Sequence, residues 1–369
     1  MIKGRIGALI IKELLTLFRD PKSRMALISP PILQLVIFSF AATLEVKNAS
    51  LMILNNDSGK HGYELVQRFA GSPMFSKIKF ATNKNEIKPA IDEQKAIAAI
   101  HIPIDFSQKI EANEPSSMQV ILDGRRSNAS QIVNGYISQV TLGYAQELQS
   151  KKGFVPLALT LDRNWFNENL LYIWFTLPSL VGILGTLIAI IVTSLSIARE
   201  RELGTFDQLL VSPLMPYEIL LGKTIPAIIV GVGESLLIFT AAILGFGVPF
   251  TGSFLLLLLS MFAFTMSIVG VGLFISSISK TQQQAFIGTF FFLVPAITLS
   301  GYAAPIENMP IWLQHAMSIN PLKYYLITLK GLFLKSMPFA EVWTNTWPLL
   351  IIGTFTLFLA WHFFSRRLE

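Results

Sequence analysis

A multi-pass α-helical membrane protein, with six transmembrane helices and an α/β-type extracytoplasmic domain between helices 1 and 2, is the fold that this 369-residue sequence predicts. Three observations carry the prediction. An uncharged apolar segment fills 25–44, residues 45–170 then read as soluble, and further apolar segments crowd the remainder. Hydrophobic side chains make up 52 % of the chain and charged ones 14 %, against about 25 % charged in a typical soluble domain. With 28 Phe and a mean hydropathy of +0.55, the excess is too large for an ordinary globular core.

The first element, 1–24, predicts a cytoplasmic amphipathic helix lying in the membrane interface. Ile6, Leu9, Ile10, Leu14, Leu17 and Phe18 recur mostly at three- and four-residue spacing, with Lys3, Arg5, Lys12 and Arg19 around them. Basic side chains so placed snorkel to anionic headgroups. The segment serves either as an anchor for the first span or as a second contact surface for a driving subunit. Segment 25–44 is long enough to cross a hydrocarbon core of about 30 Å. Pro30 and Pro31 fall in its first turns, where a missing donor or a kink is accommodated. The apolar run exceeds a signal-peptide core, so the span is expected to be retained.

The extracytoplasmic domain, 45–170, alternates strand-like and helix-like runs. Strands are expected at 50–54, 77–81, 96–102 and 118–122, and helices at 63–69, 87–94 and 130–148. That alternation argues a small α/β or α+β domain. Residues 157–161 read as a further edge strand, and Trp165-Phe166 as an interfacial pair ahead of the second span.

Five more spans follow at about 172–197, 224–245, 253–276, 285–304 and 347–364 by hydropathy. Charge sets their orientation. Six Lys/Arg precede the first span, Arg199, Arg201 and Lys223 flank the connection after the second, and Arg366 and Arg367 follow the last. Both termini are therefore expected in the cytoplasm, with 45–170 outside. Lys323, Lys330 and Lys335 fall on the outer side against this rule, which suggests that part of 305–346 is re-entrant or interfacial.

Several functions are disfavoured. The chain has no Cys, so thiol catalysis, Cys-ligated metals and disulfides are absent. No phosphate-cradling glycine-lysine loop occurs, the four His are scattered without metal-ligand spacing, and no folded basic face calls for nucleic acid. No catalytic site and no metal site are expected in this chain.

The segment 199–222 is the patterned cytoplasmic stretch. Arg199, Glu200, Arg201 and Glu202 open it, Phe206, Leu209 and Leu210 supply an apolar face, and Pro213 and Pro216 end it. Such a pattern suits a short helix at the membrane surface that transmits a push from a cytoplasmic partner, with Gly204 and Thr205 at its bend. Glu234 is the one charge inside a span. It fits either a substrate- or proton-handling role or, as favoured here, helix–helix adhesion near Ser235. Gly301, Pro305, Asn320 and Pro321 break the helical pattern at the outer face, as an exit gate or as capping of that face.

Taken in order, several pieces resemble a known family. They are Ile11-Lys12-Glu13-Leu14, the run from Ala198 to Thr205, Gln208 to Pro213, Gly222-Lys223, Leu299-Ser300-Gly301 with Pro305 to Pro310, and Asn320-Pro321. The chain resembles the ABC-2 type permease subunits of bacterial ABC exporters, in particular inner-membrane permeases of multidrug efflux systems with a large periplasmic domain. The resemblance implies a second permease subunit, identical or homologous, and cytoplasmic ABC ATPase subunits that bind ATP and Mg2+. It also implies a periplasmic adaptor of the membrane-fusion type. Coupling to the ATPase would fall on Lys12, Glu13, Glu200, Glu202, Gly204, Thr205, Leu209, Leu210 and Pro213. Cargo is expected to be amphipathic or hydrophobic, because the spans supply few charges. A secondary transporter and a non-transporting receptor or scaffold are the competing readings. Inverted repeats and discontinuous midplane helices would mark the first, and the second would not need the patterned 199–216 segment.

Overall fold

The computed structural model describes residues 2–19, 21–41, 46, 49–151, 165–168, 171–205 and 214–366. The chain divides into two compact units: Thr43–Arg163, and Met1–Ala42 together with Asn164–Glu369.

In the first unit, a four-stranded sheet is built from β1 (Ser50–Asn55), β2 (Lys77–Phe80), β3 (Ala98–Ile102) and β4 (Gln119–Leu122), in the order β2-β1-β3-β4. Strand β1 runs parallel to both β2 and β3, and β4 closes the edge antiparallel to β3. Successive side chains of a strand point to opposite faces. Leu51 and Ile53 therefore join one core cluster with Leu65, Phe69, Val133 and Ile137, whereas Met52 and Leu54 join another with Ile87 and Ala90. Burial on both faces is the signature of parallel strands covered by helices on each side. Four described helices of this unit are α3 (Lys60–Gly71), α4 (Ile87–Asp92), α5 (Phe106–Glu111) and α6 (Ser127–Lys151); the expected edge strand at 157–161 lies outside the described residues.

The start of α3 is fixed by a buried polar network. Asp57 accepts from the Gly62 amide at 3.1 Å and from the Ser107 hydroxyl, which itself accepts from the His61 and Gly62 amides at 3.0 and 3.2 Å. On the rim of this unit, Lys151 and Arg68 beside Glu147 hold its carboxyl down at about 2.

The helical unit contains α1 (Ile2–Arg19), α2 (Pro21–Ala41), α7 (Tyr172–Glu202), α8 (Pro216–Leu244), α9 (Phe254–Ile278), α10 (Gln282–Thr298), α11 (Ile311–Ala316), α12 (Pro321–Leu334) and α13 (Phe339–Arg366). Four of these, α7, α8, α9 and α13, are long and apolar enough to cross a membrane, and α2 carries a shorter apolar stretch at Ile28–Phe38. Helix α10 has 17 residues. Its Phe286, Ile287, Phe290 and Phe291 are exposed, like Ile351, Phe355 and Phe358 of α13, an outward display of apolar side chains suited to a lipid surround.

Helix α7 is the most buried of the long apolar helices and packs on α8, α9, α10 and α12. The core holds Leu180, Leu184, Phe264, Leu329 and Phe333 around Tyr325, whose ring stacks on Phe264 at 4.0 Å between centroids.

Helix α12 corrects the expectation for the outer segment. The sequence reading ends its irregular stretch, 305–321, at Asn320-Pro321 and assigns no helix beyond it. In the structure the pair starts a helix: Pro321 occupies the first turn, where its missing N–H is harmless, and the Asn320 side chain accepts from the Leu322 amide at 3.1 Å. Asn320 also donates to the Ala296 carbonyl at 2.8 Å, tying α12 to α10. At 14 residues with two Lys, α12 is too short and too charged for a hydropathy window, yet Leu322, Leu326, Leu329, Leu332 and Phe333 are fully buried.

Candidate functional site

Residues far apart in the chain meet where α1, α7 and α8 pack together. Gly222 of α8 lets Leu9 of α1 approach so closely that an added Cβ would lie 2.8 Å from the Leu9 Cβ. One residue on, Lys223 turns inward with 4 % of its side chain exposed. Its ammonium meets Glu13 of α1 at 3.2 Å and Glu200 of α7 at 2.9 Å, and donates to the Ser196 hydroxyl at 3.0 Å. The Glu200 contact is an ion pair without hydrogen-bond direction, since that oxygen has no hydrogen-bond partner among the described residues. Lys12 closes the group from the rim at 3.5 Å from Glu200 and 3.9 Å from Glu13. Two cations thus face two anions, and the cluster is neutral. Desolvating such a group is expensive unless every charge is matched, so the cluster pins the three helices in one arrangement.

A second set of contacts fastens the end of α7 to the α9–α10 turn. Arg201 donates to the Ser277 and Ser279 carbonyls at 2.9 and 2.8 Å, and the Ser276 hydroxyl accepts from the Ile197 and Ala198 amides. Glu202 accepts from the Gln282 amide at 2.9 Å, placing a carboxylate on the N-terminus of α10, a favourable end for an anion. Deeper in, Thr289 of α10 donates to Ser194 of α7 at 2.7 Å. After α7, Gly204 takes φ +69 with no atom of the described residues within 4 Å of where a Cβ would be, and Thr205 bonds back to the Glu200 carbonyl at 3.3 Å. A left-handed residue at a helix end is a position that glycine fills without strain.

The expected coupling residues therefore separate into groups. Lys12, Glu13 and Glu200 come together, Glu202 joins the α10 cap instead, and Gly204 and Thr205 form the turn. Leu209, Leu210 and Pro213 lie outside the described residues. Glu200 and Glu202 both turn to partners within the chain rather than standing as a free acidic patch. Sequence reasoning passes over Lys223 as a site residue and uses it as a flanking charge. A lysine seven residues inside an apolar helix, with two glutamates expected on neighbouring helices, is the available signal. Arg201 and Gln282 give none, because the α9–α10 turn they engage is distant in sequence.

Glu234 is half-buried on α8 with one oxygen shielded and without a hydrogen-bond partner among the described residues, while the adjacent Ser235 packs against Gly185 of α7. Gly301 takes φ +86 after α10, and Pro305 precedes a short turn at Ile306–Asn308. Those two and the Asn320-Pro321 helix start bound the segment around α11.

These features, with four helices long and apolar enough to cross a membrane, define a polytopic helical membrane protein. The family described as ABC-2 family transporter protein matches residues 23–362, and the chain belongs to that family. It is 45 % identical over 363 residues to the Escherichia coli K12 protein named probable multidrug ABC transporter permease YbhR, covering 98 % of this chain and 99 % of that one. It is 31 % identical to the probable multidrug ABC transporter permease YbhS of the same organism, over 99 % of this chain and 98 % of the relative. A third relative there, the inner membrane transport permease YhhJ, is 27 % identical over 93 % of this chain and 92 % of its own length. The chain is a multi-pass membrane protein of the permease class.

Proposed function

We propose that the chain is the permease subunit of an ABC exporter, driven by separate cytoplasmic ATPase subunits that bind ATP and Mg2+, and paired with a second permease subunit. The observation that carries the coupling part is the Lys12–Glu13–Glu200–Lys223 cluster, which joins the N-terminal helix to both helices flanking the 199–222 segment. A displacement of that segment by an ATPase moves α7, α8 and α1 as one body, because separating them would strand buried charges. The cargo is amphipathic or hydrophobic, consistent with the multidrug names of the relatives and with the apolar character of the spans. Membrane lipids surround the spans, and a periplasmic adaptor receives the cargo; nucleic acid has no part in the cycle.

The topology that goes with this reading has six spans, formed by α2, α7, α8, α9, α10 and α13. Both termini are cytoplasmic, residues 45–170 lie in the periplasm, and α12 with the 305–321 segment forms an outer re-entrant or interfacial element. Cysteines introduced singly at Lys60, Lys109 and Lys280 of this Cys-free chain test it. An impermeant thiol reagent applied to intact spheroplasts is expected to label the first two and spare the third, and labelling at 280 alone would reverse the orientation. The function itself is tested in vesicles holding the permease with its ATPase. ATP-dependent movement of a lipophilic dye is the expected result; movement of a small hydrophilic ion alone would refute the cargo assignment.

A further inference from the structure

Three Lys lie on or just after α12, and they are not equivalent. Lys335 is paired with Glu341 at 2.6 Å. Lys323 and Lys330, two turns apart on one face of the helix, have no carboxylate within ion-pair distance among the described residues. Beside that face Leu322, Leu326, Leu329 and Phe333 are buried, and on the opposite face Tyr325, Thr328 and Leu332 are buried. Lys330 is half-buried, and its ammonium rests 3.9 Å from the centroid of the Phe175 ring at the start of α7. Phe175 in turn lies parallel to Tyr302, with ring centroids 6.1 Å apart and planes 6° from parallel, and Tyr172 flanks it at 5.9 Å. A cation beside an aromatic face gains a partial counter-charge, but a half-buried ammonium without an anion is still short of its full complement. Phe175 and Tyr302 are each partly exposed, so the parallel rings leave apolar surface near the ammonium. An acid group and an apolar body are what such a site lacks.

We propose that Lys330, Phe175 and Tyr302 form a subsite for an amphipathic acid, with the anionic group on the Lys330 ammonium and the apolar part along the two rings. The assignment rests on the exporter reading and narrows its cargo from amphipathic molecules in general to those carrying a carboxylate, sulfonate or phosphate. The acid group belongs either to an exported molecule or to a membrane phospholipid.

Binding to the full-length permease in nanodiscs, without ATPase or ATP, tests the subsite independently of transport. The probe is a dansylated eleven-carbon fatty acid, compared with its methyl ester in discs of zwitterionic lipid. The acid is expected to bind about tenfold or more tightly than the ester, the scale of a charge-assisted contact. Lys330→Met should abolish that preference, Lys330→Arg should retain it, and Phe175→Leu should weaken acid and ester alike. Lys335→Met, outside the cluster, should match the unaltered protein and serves as the control for folding. Loss of acid binding on adding phosphatidylglycerol to the discs, seen in the unaltered protein but not in the Lys330→Met variant, assigns the site to a lipid headgroup; persistence of acid binding assigns it to cargo. Equal binding of acid and ester by the unaltered protein, or an unchanged preference in Lys330→Met, overturns the proposal. Dye export by the complete complex would stand untouched by that failure.

Discussion

Lys223→Met is expected to uncouple ATP hydrolysis from transport and to lower the stability of the helical unit. The substitution keeps the length and apolar stem of the side chain but removes the buried one of the two cations lying between Glu13 and Glu200. Both carboxylates are mostly shielded, at 19 % and 13 % exposure, so water replaces the lost partner poorly. Removing one member of a buried ion pair is destabilising by about 3–5 kcal/mol, and the partial exposure here places the effect toward the lower end. The measurements are thermal aggregation of the purified permease and substrate-stimulated ATP hydrolysis in reconstituted vesicles. Adding Glu200→Gln removes one of the stranded anions and should recover part of the stability, whereas Glu200→Gln alone should weaken it. A fully coupled Lys223→Met complex would show that the cluster takes no part in transmission. The distinction from ordinary surface charge is one of scale, since exposed ion pairs contribute about 0–1 kcal/mol.

Gly272→Val is expected to destabilise the helical unit severely. At Gly272, α9 passes so close to α7 that an added Cβ would overlap the Thr193 hydroxyl and lie 3.1 Å from the Ile190 carbonyl oxygen. The hydroxyl cannot simply turn aside, because it is bonded to the Ala189 carbonyl at 2.7 Å, and the Ile190 carbonyl belongs to the backbone. Overpacking typically costs about 1–3 kcal/mol, and a valine meeting fixed backbone should reach or exceed the top of that range. The expected outcome is loss of monodisperse protein on size exclusion, with Gly272→Ala less severe and partly rescued by Thr193→Ala. Gly233 is the contrasting position. Nothing lies within 4 Å of a Cβ there, so Gly233→Ala should change stability by no more than about 1 kcal/mol. Equal tolerance at both sites would show that the α7–α9 contact is looser than described.

These glycines also show where sequence reading reaches its limit. Gly182, Gly185, Gly231 and Gly233 all look available for close helix contact in a string of residues. The first three do meet a neighbouring helix, at Leu326, Ser235 and Thr265, and the fourth does not. Which way a glycine faces depends on the partner helix, and that partner is set by packing.

Much of the rest follows the same division. Hydropathy alone located the apolar stretches of α2, α7, α8, α9, α10 and α13 to within several residues, because partition into lipid depends on composition over a window of about 20 residues. Short β-like runs, two of them ended by Asn55-Asn56-Asp57 and Pro103, located the strands of the 43–163 unit, because strands covered on both faces read as near-continuous apolar runs rather than alternating ones. The amphipathic stripe of α1 was equally visible. Helix α12 escaped because its burial comes from the long helices around it rather than from a long apolar run of its own. For the same reason the resemblance grouped Lys12, Glu13 and Glu200 with six other residues as expected coupling positions and left Lys223 out. Chain position determined which residues carry charge near the ends of the apolar helices; only the packing of α1 against α8 through Gly222 decided that Lys223 turns inward to join them. A charge acquires its meaning from what surrounds it within a few ångströms, and those neighbours lie up to 210 residues away along the chain.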